Sequence, residues 1–259
     1  MAREAGTAPG QWLRSARRLA GALTSGSGRL AGATMDWIFG PQCAACGAPA
    51  TTLCEACRGS LVELGPACPR CAEPTAEDGA TCARCRRDRL PLDGVVAPWR
   101  FGGQLALAIR RLKFAGRAHV ARDVAPLWAP VLAAAVAERD AIVVPVPLHW
   151  RRRWSRGYDH AWLLARHACA LAGIAAPVRA LRRVRHAPPQ SSLPAADRAS
   201  NVWDAFAAVA PVAGRAVVLT DDVMTTGATL AAAARPLRRA GATSITALVL
   251  ARAASGRAE

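Results

Sequence analysis

The stretch Val217-Val218-Leu219-Thr220-Asp221-Asp222-Val223-Met224-Thr225-Thr226-Gly227-Ala228-Thr229-Leu230 decides how this 259-residue chain is read. Ala216 to Leu219 is a short, β-branched apolar run, the pattern of a buried strand. It delivers two adjacent carboxylates, Asp221 and Asp222, to its carboxyl end, where open α/β sheets bind ligands. The loop Thr225, Thr226, Gly227, Ala228, Thr229 then opens a helix over Thr229 to Ala240. Gly241 ends that helix, and Pro236 is expected to kink or shorten it. At such a junction backbone N–H groups and the positive helix end converge on one point. The hydroxyls of Thr225, Thr226 and Thr229 add donors, and Gly227 lets the backbone come close. The product is a cradle for one phosphate with two acids beside it, which suits a ribose 5-phosphate. The cradle takes the phosphate and the acids accept hydrogen bonds from the 2- and 3-hydroxyls. Neither GxxxxGK[ST] nor GxGxxG occurs, which excludes a P-loop and a dinucleotide fingerprint. The plainer reading, a capped helix after a strand with two merely exposed acids, leaves this ordered combination unexplained.

Working outward, Ile142 to Val144 is a short buried strand stopped by Pro145-Val146-Pro147. Ala161 to Ala172 is a helix closed by Gly173, and Ser244 to Leu250 is a further strand. Strands alternating with helices predict an α/β domain with a mostly parallel sheet. Arg156 and Gly157 lead into a helix beginning near Asp159, and a helix N-terminus with a glycine and nearby arginines suits a diphosphate. Residues 145 to 198 hold ten arginines and only two acids, Asp159 and Asp197. Arg151, Arg152 and Arg153 are either a nucleic-acid contact or a solvated basic face, and Trp150 and Trp154 beside them either stack on bases or belong to the core.

Eight of the nine cysteines form four CxxC pairs: Cys43/Cys46, Cys54/Cys57, Cys68/Cys71 and Cys82/Cys85. With no secretory signal in view, such knuckles point to metal rather than disulfides. Four thiolates close a structural zinc site, and eight supply two. The gaps of seven residues (Cys46 to Cys54) and ten (Cys71 to Cys82) allow sequential sites, while interleaved pairing stays open. The stretch 43 to 90 has little apolar sequence of its own, so metal is expected to supply its folding energy. Its unfolding on chelation would leave the α/β part folded. Cys169 reads as a small buried apolar residue.

Lys and Arg number 34 against 18 Asp and Glu, a formal charge of +16, with Lys113 the only lysine. That surplus favours polyanions, and an arginine- and alanine-rich composition is also what a GC-rich coding sequence produces. The hydrophobic fraction of 52% is enough for a core. The longest apolar run, Val124 to Ala137, has 14 residues and two prolines, too short for a membrane span. Arginines at 14, 17 and 18 interrupt any signal-like core, so a cytoplasmic protein is expected. Residues 1–36 are a basic tail in which Trp12, Leu13, Ala16, Leu19, Ala20 and Leu23 fall at helical spacing. That helix either packs on its own protein or touches a membrane surface or acidic partner.

The stretch VVLTDDVMTTGAT resembles the PRPP-binding motif of type I phosphoribosyltransferases, PRPP being 5-phosphoribosyl 1-pyrophosphate. The wider chain, roughly 37 to 251, resembles the ComF family of bacterial proteins linked to DNA uptake in natural competence. The shared pieces are Trp37 to Cys43 with the cysteines that follow, Leu112-Lys113-Phe114-Ala115-Gly116, Pro145-Val146-Pro147 with Arg156 to Ala161, and the ordered set Gln190, Arg198, Asn201, Ala205-Phe206. Asp159 and His160 stand where the family usually has Asn and Gln, and His186 to Pro189 replaces its threonine-containing approach to Gln190. The resemblance implies a zinc ribbon module over 37–90 and a phosphoribosyltransferase-like domain over 91–259. It also implies PRPP with magnesium as ligand, single-stranded DNA and competence machinery as partners, and Asp221 and Asp222 as the ribose-orienting acids. Two other functions fit the same motifs: a salvage transferase acting on a free base, and a nucleic-acid module on a non-catalytic scaffold.

Overall fold

The computed structural model describes residues 42–50, 52–113, 117–149, 154, 156–184 and 205–254. The N-terminal tail, Phe114 to Gly116, Trp150, Arg151, Arg152, Arg153 and the segment with Gln190, Arg198 and Asn201 lie outside them. In chain order, the cysteine region carries two short helices, α1 (Glu55–Gly59) and α2 (Ala83–Arg87), each started by a cysteine. Then come strands β1 (Gly94–Val96) and β2 (Trp99–Arg100), and helices α3 (Gly103–Leu112), α4 (Val120–Val124) and α5 (Ala129–Ala137). Strand β3 (Ile142–Pro145) leads to α6 (His160–Ala172) and a small hairpin-like pair, β4 (Leu181–Arg183) and β5 (Phe206–Ala208). The chain then forms β6 (Ala216–Met224), α7 (Ala228–Arg239) and β7 (Ser244–Arg252).

The main sheet runs β1-β7-β6-β3, with β2 continuing β1's side along β7, and every one of these pairings is parallel. Strands β6 and β7 are at its centre and are buried on both faces, which is why they read as continuous apolar runs. Their side chains alternate with period two. Val218, Leu248 and Leu250 enter one core layer with Trp128, Leu132 and Leu164 of the α3–α6 side. Val217, Leu219, Ala247 and Val249 enter the opposite layer with Leu230 and Leu237 of α7. Each fully buried Leu contributes about 1.5–3 kcal/mol relative to exposure. Gly173 closes α6 in the left-handed conformation, at φ 66°. Helix α7 runs through Pro236, which lies in its last turn and stays buried.

The cysteine region is not a free-standing appendage. Cys43 and Cys57 belong to the α3–α6 core layer, and Cys68, Cys71 and Cys85 to the α7 layer. Leu64 N–H donates to the Pro98 carbonyl at 3.0 Å and Val95 N–H to the Pro69 carbonyl at 3.0 Å. Apolar surface that residues 43 to 90 cannot bury among themselves is therefore buried against the sheet and its helices. No single helix among the described residues is long and apolar enough to cross a membrane. The apolar run Val124 to Ala137 divides between α4, a 3-10 turn (Ala125–Leu127) and α5, with a 60° bend, and packs in the core.

Candidate functional site

Strand β6 extends further than Ala216 to Leu219, because β7 goes on pairing with it beyond the end of β3. β3 pairs with it up to Pro145 and Thr220, and β7 up to Arg252 and Met224. Asp221 and Asp222 thus lie within the strand, three and two residues before Met224 ends it. The next three residues, Thr225, Thr226 and Gly227, turn the chain into α7. Gly227 caps that helix at φ 81°, a left-handed backbone. A Cβ at Gly227 would come within 2.6 Å of Met224 Cε and 3.0 Å of Leu90 Cδ1, so a side chain there would have to displace the Met224 methyl on a backbone already strained for it. Thr225, Thr226 and Thr229 are exposed around it and Ala228 is half-buried, with Ala228 N–H donating to Thr226 Oγ1 at 3.4 Å. The loop is thereby assembled at the N-terminus of a twelve-residue helix, as the motif predicts.

The two acids are in different electrostatic situations. Asp222 is buried at 3% exposure, and its Oδ2 lies 2.7 Å from Lys113 Nζ and 3.4 Å from His160 Nε2. Its Oδ1 accepts from Val223 N–H at 2.8 Å. Burial acts to raise its pKa, but the contacts with His160 and Lys113 outweigh burial and hold it below the usual carboxylate range. Asp221 Oδ1 accepts from Asp222 N–H at 2.9 Å. Burial, then the charge of Asp222, push Asp221 up to about 7, with His160 and Lys113 working against them. Asp222 therefore carries the pair's negative charge. Asp221 is the member that takes up a proton near neutrality.

The turn before α6 supplies the other side. Asp159 is its N-cap: the carboxylate accepts from Trp162 N–H at 3.2 Å and from Leu148 N–H at 3.3 Å. Its charge is spent on one orphan helix donor, Trp162, and one loop donor, Leu148, which accounts for an acid at this place in the motif. Gly157 has φ 78°, and the Tyr158 hydroxyl donates to the Leu112 carbonyl at 2.8 Å. That bond ties the turn to the end of α3, one residue before Lys113. Arg156 Nη1 is 3.3 Å from His160 Nδ1, so His160 bridges Arg156 and Asp222. The structure thus brings Asp221 and Asp222 together with His160 and, through it, Arg156. The sequence marks Lys113 as the only lysine and as part of a motif, but gives no sign that it meets Asp222. Nothing in the sequence pointed to Arg84, Leu90 or Arg252, which reach the loop from far away in the chain.

The cysteines gather as two sequential sets, Cys43, Cys46, Cys54, Cys57 and Cys68, Cys71, Cys82, Cys85, with the sulfurs of each set within 4.8 Å of one another. Interleaved pairing is thereby excluded. Cys46 and Cys54 sulfurs are 3.8 Å apart and Cys71 and Cys82 sulfurs 3.6 Å. Four sulfurs about 2.3 Å from a central tetrahedral zinc are about 3.8 Å from each other, whereas a disulfide needs about 2 Å. N–H groups of Ala45 and Cys54 point at Cys43 Sγ from 3.4 and 3.3 Å. Burial would raise the Cys43 thiol, but backbone donors, those of Cys54 first, bring it down to about 6. In the same set burial, then contact with neighbouring sulfurs, pushes Cys57 up. Four sulfurs this close favour a common dication, and the residues fit two structural zinc ions.

A parallel sheet with two acids at the end of a central strand, a glycine-capped loop opening the next helix and two four-cysteine clusters define a phosphoribosyltransferase-type α/β protein with a double zinc ribbon. Family models agree: residues 34–86 match a double zinc ribbon domain and residues 163–259 a phosphoribosyl transferase domain. The chain is 32% identical to the DNA utilization protein YhgH of Salmonella typhimurium over 200 residues, 74% of this chain and 87% of that protein. It is 31% identical to competence protein F of Haemophilus influenzae, over 78% of this chain and 90% of that protein. To competence protein ComFC of Bacillus subtilis it is 27% identical, over 74% and 80%. The chain belongs to this ComF/YhgH family, a phosphoribosyltransferase-like group related to competence and DNA utilization.

Proposed function

We propose that the protein binds PRPP with magnesium at the end of β6 and acts with single-stranded DNA in DNA uptake or processing. The observation that carries the reading is the continuity of Asp221 and Asp222 with the Gly227-capped N-terminus of α7. In this reading, backbone N–H groups of the loop and the hydroxyls of Thr225, Thr226 and Thr229 hold the 5-phosphate. Asp221 and Asp222 accept from the ribose hydroxyls, and Arg156 with the Gly157 turn faces the diphosphate. Asp221 and Asp222 would hold a magnesium ion that enters with PRPP, and the ion would supply charge neutralisation to the diphosphate. The same groups serve a ribosyl transfer, in which the C1–diphosphate bond breaks and positive charge grows on the ribose. The acids balance that charge by position alone, and no covalent nucleophile is required.

The DNA half of the reading rests on the relatives named for competence and DNA utilization, and on the basic excess. Trp154, 81% exposed beside Arg151, Arg152 and Arg153, offers a ring to an unpaired base. The test is calorimetric titration with PRPP and magnesium, repeated with a single-stranded oligonucleotide present. Saturable one-site binding of PRPP, changed in affinity by DNA, supports the reading. Binding of DNA without any PRPP heat turns it towards a scaffold that recognises nucleic acid alone.

A further inference from the structure

The phosphate loop is not held by its own domain alone. Thr226's carbonyl accepts from Arg84 Nη2 at 2.5 Å, and Arg84 is the second residue of α2, the helix that carries Cys85. Arg252, 1% exposed at the end of β7, donates to the carbonyl of the zinc ligand Cys71 at 3.2 Å and to that of Met224 at 3.3 Å, and pairs with Glu73. Leu90, just past the second ribbon, closes over Gly227. Backbone and side-chain contacts from the second cysteine cluster thus reach Met224, Thr226 and Gly227 in turn.

A peptide unit is planar and trans, so its C=O and the following N–H point in opposite directions. Fixing the Thr226 carbonyl on Arg84 therefore also fixes the Gly227 N–H away from Arg84. Without that bond the Thr226–Gly227 peptide is free to rotate its carbonyl into the cradle, where its negative end would repel an anion and the Gly227 N–H would be withdrawn. A guanidinium bound to that oxygen prevents this and leaves a positive charge beside the cradle. Glycine, which rotates freely, makes such a flip easy at this peptide unless something outside the loop opposes it.

We propose that Arg84, seated by the second zinc site, is a positioning residue for the phosphate loop, so that metal occupancy at Cys68, Cys71, Cys82 and Cys85 controls the loop's affinity for a phosphorylated sugar. The part concerning affinity rests on the PRPP reading above. The coupling of ribbon to loop does not. The first cysteine cluster is attached elsewhere, through Arg111 Nη1 to the Cys43 carbonyl at 3.2 Å, and serves as the internal control.

The experiment uses the full chain loaded with zinc. Two readouts are taken: amide exchange at Ala231, whose N–H donates to the Gly227 carbonyl at 2.9 Å, and PRPP–magnesium affinity by calorimetry. Arg84→Ala should keep both zinc ions, speed Ala231 exchange, and weaken PRPP about tenfold, the loss expected for one charge-assisted hydrogen bond. Arg84→Lys, which retains one donor and the charge, should recover part of both. Cys82→Ser, which opens the second site, should act like Arg84→Ala, and Cys46→Ser, which opens the first, should leave Ala231 unchanged. Unaltered exchange and affinity in zinc-replete Arg84→Ala would overturn the proposal. If the parent protein binds no PRPP, the functional reading fails, and Ala231 exchange alone decides the coupling.

Discussion

Lys113 Nζ, from the only lysine in the chain, lies 2.7 Å from Asp222 Oδ2, the buried acid of the PRPP-type motif. Helices α4, α5 and α6 and strands β3, β4 and β5 lie between the two residues in sequence, and the contact brings the end of α3 to the end of β6. A third of the Lys113 side chain is exposed and Asp222 is almost wholly buried, so the pair is a half-solvated lid over a buried charge. Removing the cation should cost more than removing both charges. Lys113→Met is expected to destabilise the protein by about 1–3 kcal/mol, from the charge left without its nearer partner. The double variant Lys113→Met/Asp222→Asn should cost less than the sum of the single changes. Urea midpoints for the four proteins of this cycle check it, and simple additivity would deny the coupling.

Asp159 replaces a residue that the family usually has as Asn, and its place as N-cap of α6 predicts a specific ranking. Asp159→Asn keeps an acceptor for Trp162 N–H and should cost a few tenths of a kcal/mol. Asp159→Ala removes it and should cost about 1 kcal/mol. Thermal midpoints of the two variants measure the difference. Equal losses would mean that the charge, rather than the cap, matters here.

Zinc removal should reach beyond the ribbons. Cys43 and Cys57 share a core layer with α3–α6, and Cys71 and Cys85 one with α7. Stripping metal therefore opens both layers, and the α/β part should melt earlier along with residues 43 to 85. Metal analysis of the purified chain should give about two zinc ions, and calorimetric melting with and without a chelator gives the rest. An unchanged α/β transition after both ions are lost would show the ribbons to be independent of the core.

Arg151, Arg152 and Arg153 should bind single-stranded DNA through phosphates, without sequence preference. Changing all three to alanine should reduce the slope of log affinity against log salt by about 2, at about 0.7 per phosphate contact. Fluorescence anisotropy over a salt series reads this directly. An unchanged slope would make the triplet a solvated face.

Local signals carried much of the fold. Apolar runs marked β3, β6 and β7 because strands buried on both faces need unbroken Val, Ile and Leu, and Gly173 marked the end of α6 because only a left-handed residue closes it there. CxxC spacing marked the cysteines that gather in two clusters, and the order of two acids, threonines and glycine marked the turn from β6 into α7. Strand ends were read short, since the pairing that carries β6 to Met224 and β7 to Arg252 is set by neighbouring strands. Pairing of the cysteine sets was open for the same reason: spacing allowed two solutions and the packing chose one. Asp159 and His160 were visible only as departures from a pattern, and their roles depend on Leu148, Arg156 and Asp222 meeting in space. Arg84 and Arg252 gave no local sign at all, because a contact across 142 or 181 residues leaves no periodicity behind.

Whether the acids and the loop beyond them hold PRPP is decided by Asp222→Asn. The change is nearly isosteric and replaces an acceptor-only carboxylate by an amide with one acceptor oxygen. Charge-assisted hydrogen bonds to the ribose hydroxyls are worth about 1.5–3 kcal/mol, so PRPP–magnesium affinity measured by calorimetry should fall about ten- to a hundredfold. Thr226→Val should weaken it in the same direction by less. Parental affinity in both variants, or no PRPP binding by the parent with magnesium present, would contradict the account.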